Sequence, residues 1–137
     1  MIEFFRPNLA VSGASSTVRL YWIATGLFTL LFAASILLGL GDLKESYTEY
    51  TRLGFTEPWQ VYFNSLGKIF GLLAIYHNRS RTLKDFAFAG FFFDLLLALV
   101  AHIAQGESKF LIPLVSLGIW WFAFAMNRKV FPVNDRV

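Results

Sequence analysis

The sequence predicts an all-α fold, a four-transmembrane-helix bundle with both termini in the cytoplasm, and three observations predict it. Apolar residues make up 56% of the chain and charged residues 15%, where a soluble domain usually carries about a quarter charged. Four separate stretches approach the ~20 apolar residues that a membrane helix needs. Lys and Arg gather beside those stretches and mostly on one side of them, the pattern by which membrane proteins set their orientation. Sixteen Phe add a bulk that a chain this short cannot bury in water, and lipid can solvate it instead. The length of 137 residues allows one domain, so residues 1–137 read as a single integral membrane domain.

The first stretch runs from about Leu20 to Leu40. It is longer than a signal-peptide core, lacks a small-x-small cleavage site and precedes three more stretches, so it is expected to stay in place. Before it, Ile2, Phe4 and Phe5 beside Arg6 suit a segment lying on the membrane surface. The loop Gly41–Pro58 is acidic by comparison (Asp42, Glu45, Glu49, Glu57), and Leu43, Tyr47 and Tyr50 recur in it at helical spacing. That pattern predicts a short interfacial helix. Thr56-Glu57-Pro58 sets a capping hydroxyl close to a Pro, a helix start, and opens the second stretch, Trp59–Tyr76. Ser80-Arg81-Thr82 with Lys84-Asp85 fills the turn before the third, Phe86–Ala104. Gly106-Glu107-Ser108-Lys109 makes a tight connection to the fourth, about Phe110–Met126. Pro113 falls in its first turns, where a missing N–H is tolerated. The second and fourth stretches are short and should sit with little tilt. All four must be helical, because lipid offers no partner to an unpaired backbone group.

Arg6, Arg19, Arg79, Arg81, Lys84, Arg128, Lys129 and Arg136 fall on one side of the four spans, and only Lys44, Arg52 and Lys109 on the other. The positive-inside rule puts the first group, and both termini, in the cytoplasm. Asn78-Arg79-Ser80 matches a glycosylation acceptor, but it faces the cytoplasm on this topology and reads as a chance match.

Two charges interrupt the apolar stretches. Lys68 lies 13 residues before Arg81 and Asp94 lies 13 after it. In an antiparallel helical hairpin, equal distance from the turn means equal depth, so the two are placed to meet near the middle of the membrane. Helical spacing puts Asn64, Lys68, Gly71 and Ile75 on one stripe of the second span, and Gly67 and Gly71 form a Gly-x-x-x-Gly that lets helices approach closely. On the third span, Ala87, Gly90, Asp94, Ala98 and Ala101 make a stripe of small residues around the carboxylate. Two readings fit. In one, Lys68 donates to a carbonyl, phosphate or quinone oxygen and Asp94 tunes it or relays a proton, since intramembrane ionisable residues mark functional sites. In the other, the pair neutralises itself and holds helix register.

His102 and Glu57 reach similar depth at the outer end of the same hairpin, with Trp59 beside Glu57. They suit either proton movement or a hydrogen bond that anchors the hairpin. His77 flanks the cytoplasmic turn and is expected to be solvated. Thr25, Thr29 and Ser116 either line the same cavity or bond their own helix backbone. Trp22, Trp59, Trp120 and Trp121 read as interface or packing residues, the last two near a basic end where an aromatic belt would fall.

The chain has no Cys and two His, which excludes disulfide and thiol chemistry and Cys-ligated metals and argues against a protein-only metal cage. His77 and His102 would lie at opposite membrane faces, against a bis-His haem. No phosphate loop, nucleophile elbow, zincin helix or dinucleotide fingerprint is present, and no cofactor or nucleic-acid partner is expected.

Leu53-Gly54-Phe55-Thr56-Glu57-Pro58-Trp59 leads into Leu66-Gly67-Lys68-Ile69-Phe70-Gly71, then Leu83-Lys84-Asp85-Phe86-Ala87-Phe88-Ala89-Gly90-Phe91, then Ala98, Ala101-His102 and Gly106-Glu107. This order and spacing resembles the DoxX-like family of small bacterial membrane proteins, from the second half of the outer loop through the third span. The first and fourth spans match as apolar helices. The resemblance implies a four-helix bundle in the bacterial inner membrane with few or no cofactors of its own. Relatives have been linked to quinone-associated oxidoreductase complexes, thiol and oxidative stress, and quinone tolerance. Gly54, Lys68, Gly71, Ala87, Gly90, Ala98, His102 and Gly106 carry over. Where Asp94 stands, family members often have a polar uncharged residue, a departure that sets the Lys–Asp pair apart from a family-wide role.

Two functional expectations follow. The first is binding of a lipophilic small molecule such as a quinone, in support of redox or stress metabolism, at Lys68, Asp94 and Asn64, closed outward by Glu57 and His102. The second is a non-catalytic accessory or assembly subunit, with Phe91, Phe92, Phe93, Phe122 and Phe124 packed against a membrane protein partner or a second copy. A proton or ion path through Asp94 and His102 has little room among four short helices.

Overall fold

The computed structural model describes residues 14–77 and 80–132. The sequence readings on Ile2, Phe4, Phe5, Arg6, Asn78, Arg79 and Arg136 lie outside the described residues. Five α-helices, a single 3-10 turn and no strand occur among the described residues: α1 Ser15–Gly41, α2 Leu43–Arg52, α3 Trp59–Tyr76, α4 Arg81–Ala104, the 3-10 turn Ser108–Phe110 and α5 Leu111–Val130.

Local chemistry sets these boundaries. The Asp42 side chain accepts from the Glu45 N–H at 3.0 Å and starts α2; Ser80 Oγ accepts from the Leu83 N–H at 3.2 Å and starts α4. Each occupies a helix N-cap, where a side-chain oxygen satisfies an orphan backbone donor. The Ser80 cap begins α4 five residues before Phe86, the first residue that hydropathy alone would assign. Gly54 and Gly106 end α2 and α4 with positive φ of 95° and 69°. In each, the Gly N–H reaches back three residues and the next N–H reaches back five: Gly54 to Thr51 and Phe55 to Tyr50, Gly106 to Ile103 and Glu107 to His102. These are Schellman caps, and their left-handed position favours Gly.

Among the described residues, three helical segments are long and apolar enough to cross a membrane: Ser15–Gly41, Arg81–Ala104 and Ser108–Val130. The 18-residue α3 is not one of them; Gln60, Asn64, Ser65 and Lys68 dilute its apolar character.

Helix α1 packs on α5 and α3, and α4 packs on the same two, so the four long helices close into a ring. Helices α1 and α4 lie across the diagonal and meet through aromatic rings. Tyr21, Ala24, Phe28 and Phe32 recur at helical spacing along the buried face of α1. Phe91 of α4 meets the Phe28 ring edge-on at 4.9 Å and the Phe32 ring at 4.4 Å, in the geometry aromatic pairs prefer. Trp120 of α5 is buried, and its indole N–H donates to the Phe88 carbonyl at 2.8 Å. It is therefore a core residue, while Trp121 next to it is 64% exposed. The outer faces stay apolar: Leu38, Phe63 and Phe86 are each 70% exposed or more.

Several sequence readings change once the helices are packed. Lys84, which the sequence places in the turn before the third stretch, lies instead within the longer α4 and is completely buried. Its Nζ donates to the Tyr21 hydroxyl at 3.2 Å and sits 3.9 Å from the centre of the Phe131 ring, whose carbonyl accepts from Arg81. Phe91 is core and Phe92 and Phe124 are partly buried, which leaves Phe93 and Phe122 as the exposed members of the expected Phe-rich faces. Ser116 Oγ donates to the Ile112 carbonyl at 2.8 Å and serves its own helix; Thr29 Oγ donates to the Thr25 carbonyl at 2.7 Å and also shares a hydrogen bond with the Tyr76 hydroxyl of α3 at 2.8 Å.

Candidate functional site

The aromatic core fills only part of the ring. Beside it, a cavity of about 710 Å³ lies between α3 and α4, lined along α4 from Phe86 to His102 and roofed by α2 and the loop after it. The polar cluster at its middle comes from three helices. Lys68 of α3 donates from Nζ to Ser35 Oγ of α1 at 3.1 Å, and lies 3.5 Å from Asp94 Oδ2 of α4. Asn64, one turn before Lys68, donates from Nδ2 to Asp94 Oδ1 at 2.9 Å. The structure thus brings together Lys68 and Asp94, placed at one depth by counting from the turn, and Asn64, which shares the Lys68 stripe one turn away. The Lys68 and Asp94 side chains are 13% and 25% exposed, so their charges are largely withdrawn from solvent and each depends on the other.

Apolar and small residues make up most of the remaining wall, with Trp59, Phe63 and Gly67 on α3 and Ala87, Gly90, Leu97 and Ala98 on α4. The Gly67/Gly71 pair divides its work. A side chain at Gly71 would run into the Phe91 ring at 2.7 Å, whereas one at Gly67 would meet nothing within 4 Å. Gly71 admits a ring, and Gly67 faces the open cavity; neither brings two backbones together as the motif suggested.

His102 also lines the cavity. Its carboxylate partner is Glu107, at 3.0 Å from Nδ1, and the expected pairing with Glu57 is replaced. Glu57 is exposed, does not line the cavity, and its N–H donates to Gln60 Oε1 at 3.1 Å. The Schellman turn at Gly106 reverses the chain and sets Glu107 back over the last turn of α4, which outcompetes Glu57 in the loop before α3. Glu107 Oε1 in turn takes Arg52 Nη1 of α2 at 2.8 Å, Arg52 also binds Glu49, and Lys109 Nζ reaches Glu49 Oε1 at 3.2 Å. These ion pairs tie α2 to the α4–α5 connection and hold Tyr50, Leu53 and Phe55 over the cavity. The Arg52 hydrogen bond, reinforced by Lys109, holds the Glu49 carboxyl below the usual carboxylate range. Burial under the roof, with the nearby Asp94 charge as a second cause, pushes the Tyr50 hydroxyl up to about 12.

Ser35, Tyr50, Gln60, Arg52 and Glu107 belong to this site and escaped the sequence reading, because single polar residues in an amphipathic loop or at a helix end look solvated. Glu107 had one signal: it follows Gly106 directly, where a Schellman cap folds the next residue back on the helix. Among the described residues, no group of three His, Asp or Glu side chains could hold a metal ion.

The model of one protein family, described as the DoxX-like family, matches residues 23–123. The chain belongs to the DoxX-like family. The match runs from the first part of α1 into α5 and includes every residue of the cavity, from Ser35 to His102. The resemblance seen from the outer loop through α4 therefore extends across the other two long helices. Family membership and three apolar helices together make this DoxX-like chain a membrane protein. Comparison with curated proteins and with solved structures finds no match.

Proposed function

We propose that this DoxX-like protein is a four-span, multi-pass protein of the bacterial inner membrane, with both termini cytoplasmic, that binds a lipophilic small molecule such as a quinone at Lys68, Asp94 and Asn64. The observation that carries this reading is the cavity itself: about 710 Å³ of largely apolar wall converging on three hydrogen-bonded polar side chains. That volume lies in the range of small-molecule sites, which combine apolar walls with a few placed polar groups. A lysine ammonium has three donors, and with Ser35 and Asp94 near it a further N–H is available to a ligand oxygen. The polar cluster accounts for the residues that keep α3 out of the set of helices apolar enough to cross a membrane: on this reading it crosses with its polar stripe turned to the cavity. The role would be to position or shield the molecule in support of redox or stress metabolism.

The test is native mass spectrometry of protein released gently from its own membrane, beside Lys68→Met and the charge-free double variant Lys68→Met with Asp94→Asn. A small lipophilic adduct present in the parent and lost in both variants supports the site and identifies its occupant. A stoichiometric protein partner with no adduct overturns it in favour of an accessory subunit. The topology is tested from the Cys-free parent: Thr48→Cys is expected to react with an impermeant maleimide from outside, and Thr82→Cys only after the membrane is opened.

A further inference from the structure

The cavity has a side door. Phe63 and Gly67 on α3, and Phe86 and Gly90 on α4, line it while also lying on the exposed outer face of the bundle. Added side chains at Gly67 and Gly90 would meet nothing within 4 Å, so the gap between the two helices is unfilled. Above it, the Arg52–Glu107 and Lys109–Glu49 ion pairs hold the α2 roof in place. Inside it, Phe91 against Gly71 joins the aromatic core. The wide way in is from the side, where the faces of α3 and α4 are apolar and suit lipid.

The shape and charge of this opening narrow the ligand. Along α4 the lining runs from Phe86 to His102, a span of about 24 Å at the helical rise, with Asp94 halfway. A cleft that long, with Gly67, Ala87, Gly90 and Ala98 leaving room along it, fits an extended chain better than a compact ring system alone. Its polar cluster is balanced, because the Lys68 ammonium already faces the Asp94 carboxylate at 3.5 Å. An anionic head on the remaining Lys68 N–H would bring a second negative charge beside the largely buried Asp94 carboxylate, which is unfavourable. A neutral head with a carbonyl or hydroxyl needs only hydrogen bonds.

Resting on the binding reading above, we infer that the ligand is a neutral-headed amphiphile that enters from the bilayer between α3 and α4, with its head at Lys68–Asp94–Asn64 and its apolar tail lying along the cleft between Gly67 and Gly90 and out into lipid.

The experiment uses the full chain in lipid nanodiscs and two probes with one naphthoquinone ring: phylloquinone, which carries a long tail, and menadione, which has none. Gly67→Leu and Gly90→Leu, made separately, fill the gap from opposite helices, so a folding defect in one leaves the other to report. Either is expected to weaken phylloquinone about tenfold more than it weakens menadione, the equivalent of one affinity decade. Equal effects on both probes, or none on phylloquinone, would overturn the tail position while binding that still depends on Lys68 keeps the site. Binding of neither probe that depends on Lys68 would sink the site and the inference together. Oleyl alcohol is expected to displace phylloquinone and oleate is not; displacement by oleate alone would overturn the neutral head.

Discussion

The ring of Phe91 occupies the space that a side chain on Gly71 would need. A Cβ there would lie 2.7 Å from Phe91 Cε2 and 2.9 Å from Cζ. Phe28 and Phe32 back the ring at 4.9 and 4.4 Å, so to make room it would have to leave these contacts and turn into the cavity it lines. This contact joins α3 to the aromatic core just where the cavity begins. Gly71→Ala is therefore expected to destabilise the fold by about 1–3 kcal/mol, the usual range for overpacking. Gly67→Ala, four residues away over open space, is expected to be neutral or slightly stabilising through helix propensity. Thermal unfolding of the two variants in one detergent decides; equal effects would remove Phe91 as the cause.

Lys68 and Asp94 make a different kind of dependence. Removing either leaves the other charge largely buried and unpaired, so Lys68→Met and Asp94→Asn should each destabilise by about 3 kcal/mol. The double variant should lie closer to the parent than either single one, because no charge is left to strand. A denaturant double-mutant cycle measures this coupling, and additive losses would show that the pair does not act as a unit.

Lys84 buries its whole side chain against Tyr21 and Phe131. Its aliphatic stem packs as a hydrophobic side chain would, while the ammonium contributes a cation–π contact at 3.9 Å. Lys84→Ala is expected to cost roughly 2–5 kcal/mol through the cavity it leaves, and Lys84→Met to recover most of that loss. Unfolding midpoints test the order; a Met variant as weak as the Ala variant would mean the charge dominates.

The α2 roof should loosen in acid. The Glu49 carboxyl titrates below its ordinary value of 4.5 because Arg52, then Lys109, stabilises the charged form. A depressed carboxylate stabilises the folded state fully above its unfolded value and loses that contribution as pH falls through the folded one. Hydrogen exchange of Leu43–Arg52, corrected for intrinsic rates, is thus expected to accelerate below pH 4.5. Arg52→Ala should show the loosened roof at neutral pH. The group is exposed, so salt will weaken the effect.

Tyr50 reports the same roof from beneath. Its hydroxyl is pushed from 10.0 to about 12, chiefly by burial and then by Asp94. A raised phenol favours the folded state below its unfolded value, and the contribution disappears as pH rises through the folded one. In Arg52→Ala, tyrosinate absorbance should show one Tyr moving back toward 10.0. An unchanged titration would mean that the ion pairs do not hold α2 down.

The sequence by itself determined the helices and the meeting of Lys68 with Asp94. Apolar length and caps are local properties, and a short turn converts equal residue counts into equal depth, so Arg81 was enough to align the pair. The tight connection at Gly106 was legible too, although the Schellman caps at Gly54 and Gly106 appear only in the structure. Tertiary structure alone decided how each helix is rotated and what the loops lay over it. Nothing local shows that Lys84 turns inward to Tyr21 and Phe131, because that face is created by α1 and the end of α5. Nor does depth alone choose between Glu57 and Glu107 for His102; the reversal at Gly106 and the Arg52 contact from α2 do. The cavity exists for the same reason: α3 and α4 touch at Gly71 and Phe91 and leave a gap at Gly67 and Gly90, a difference set by which rings fill the centre of the bundle.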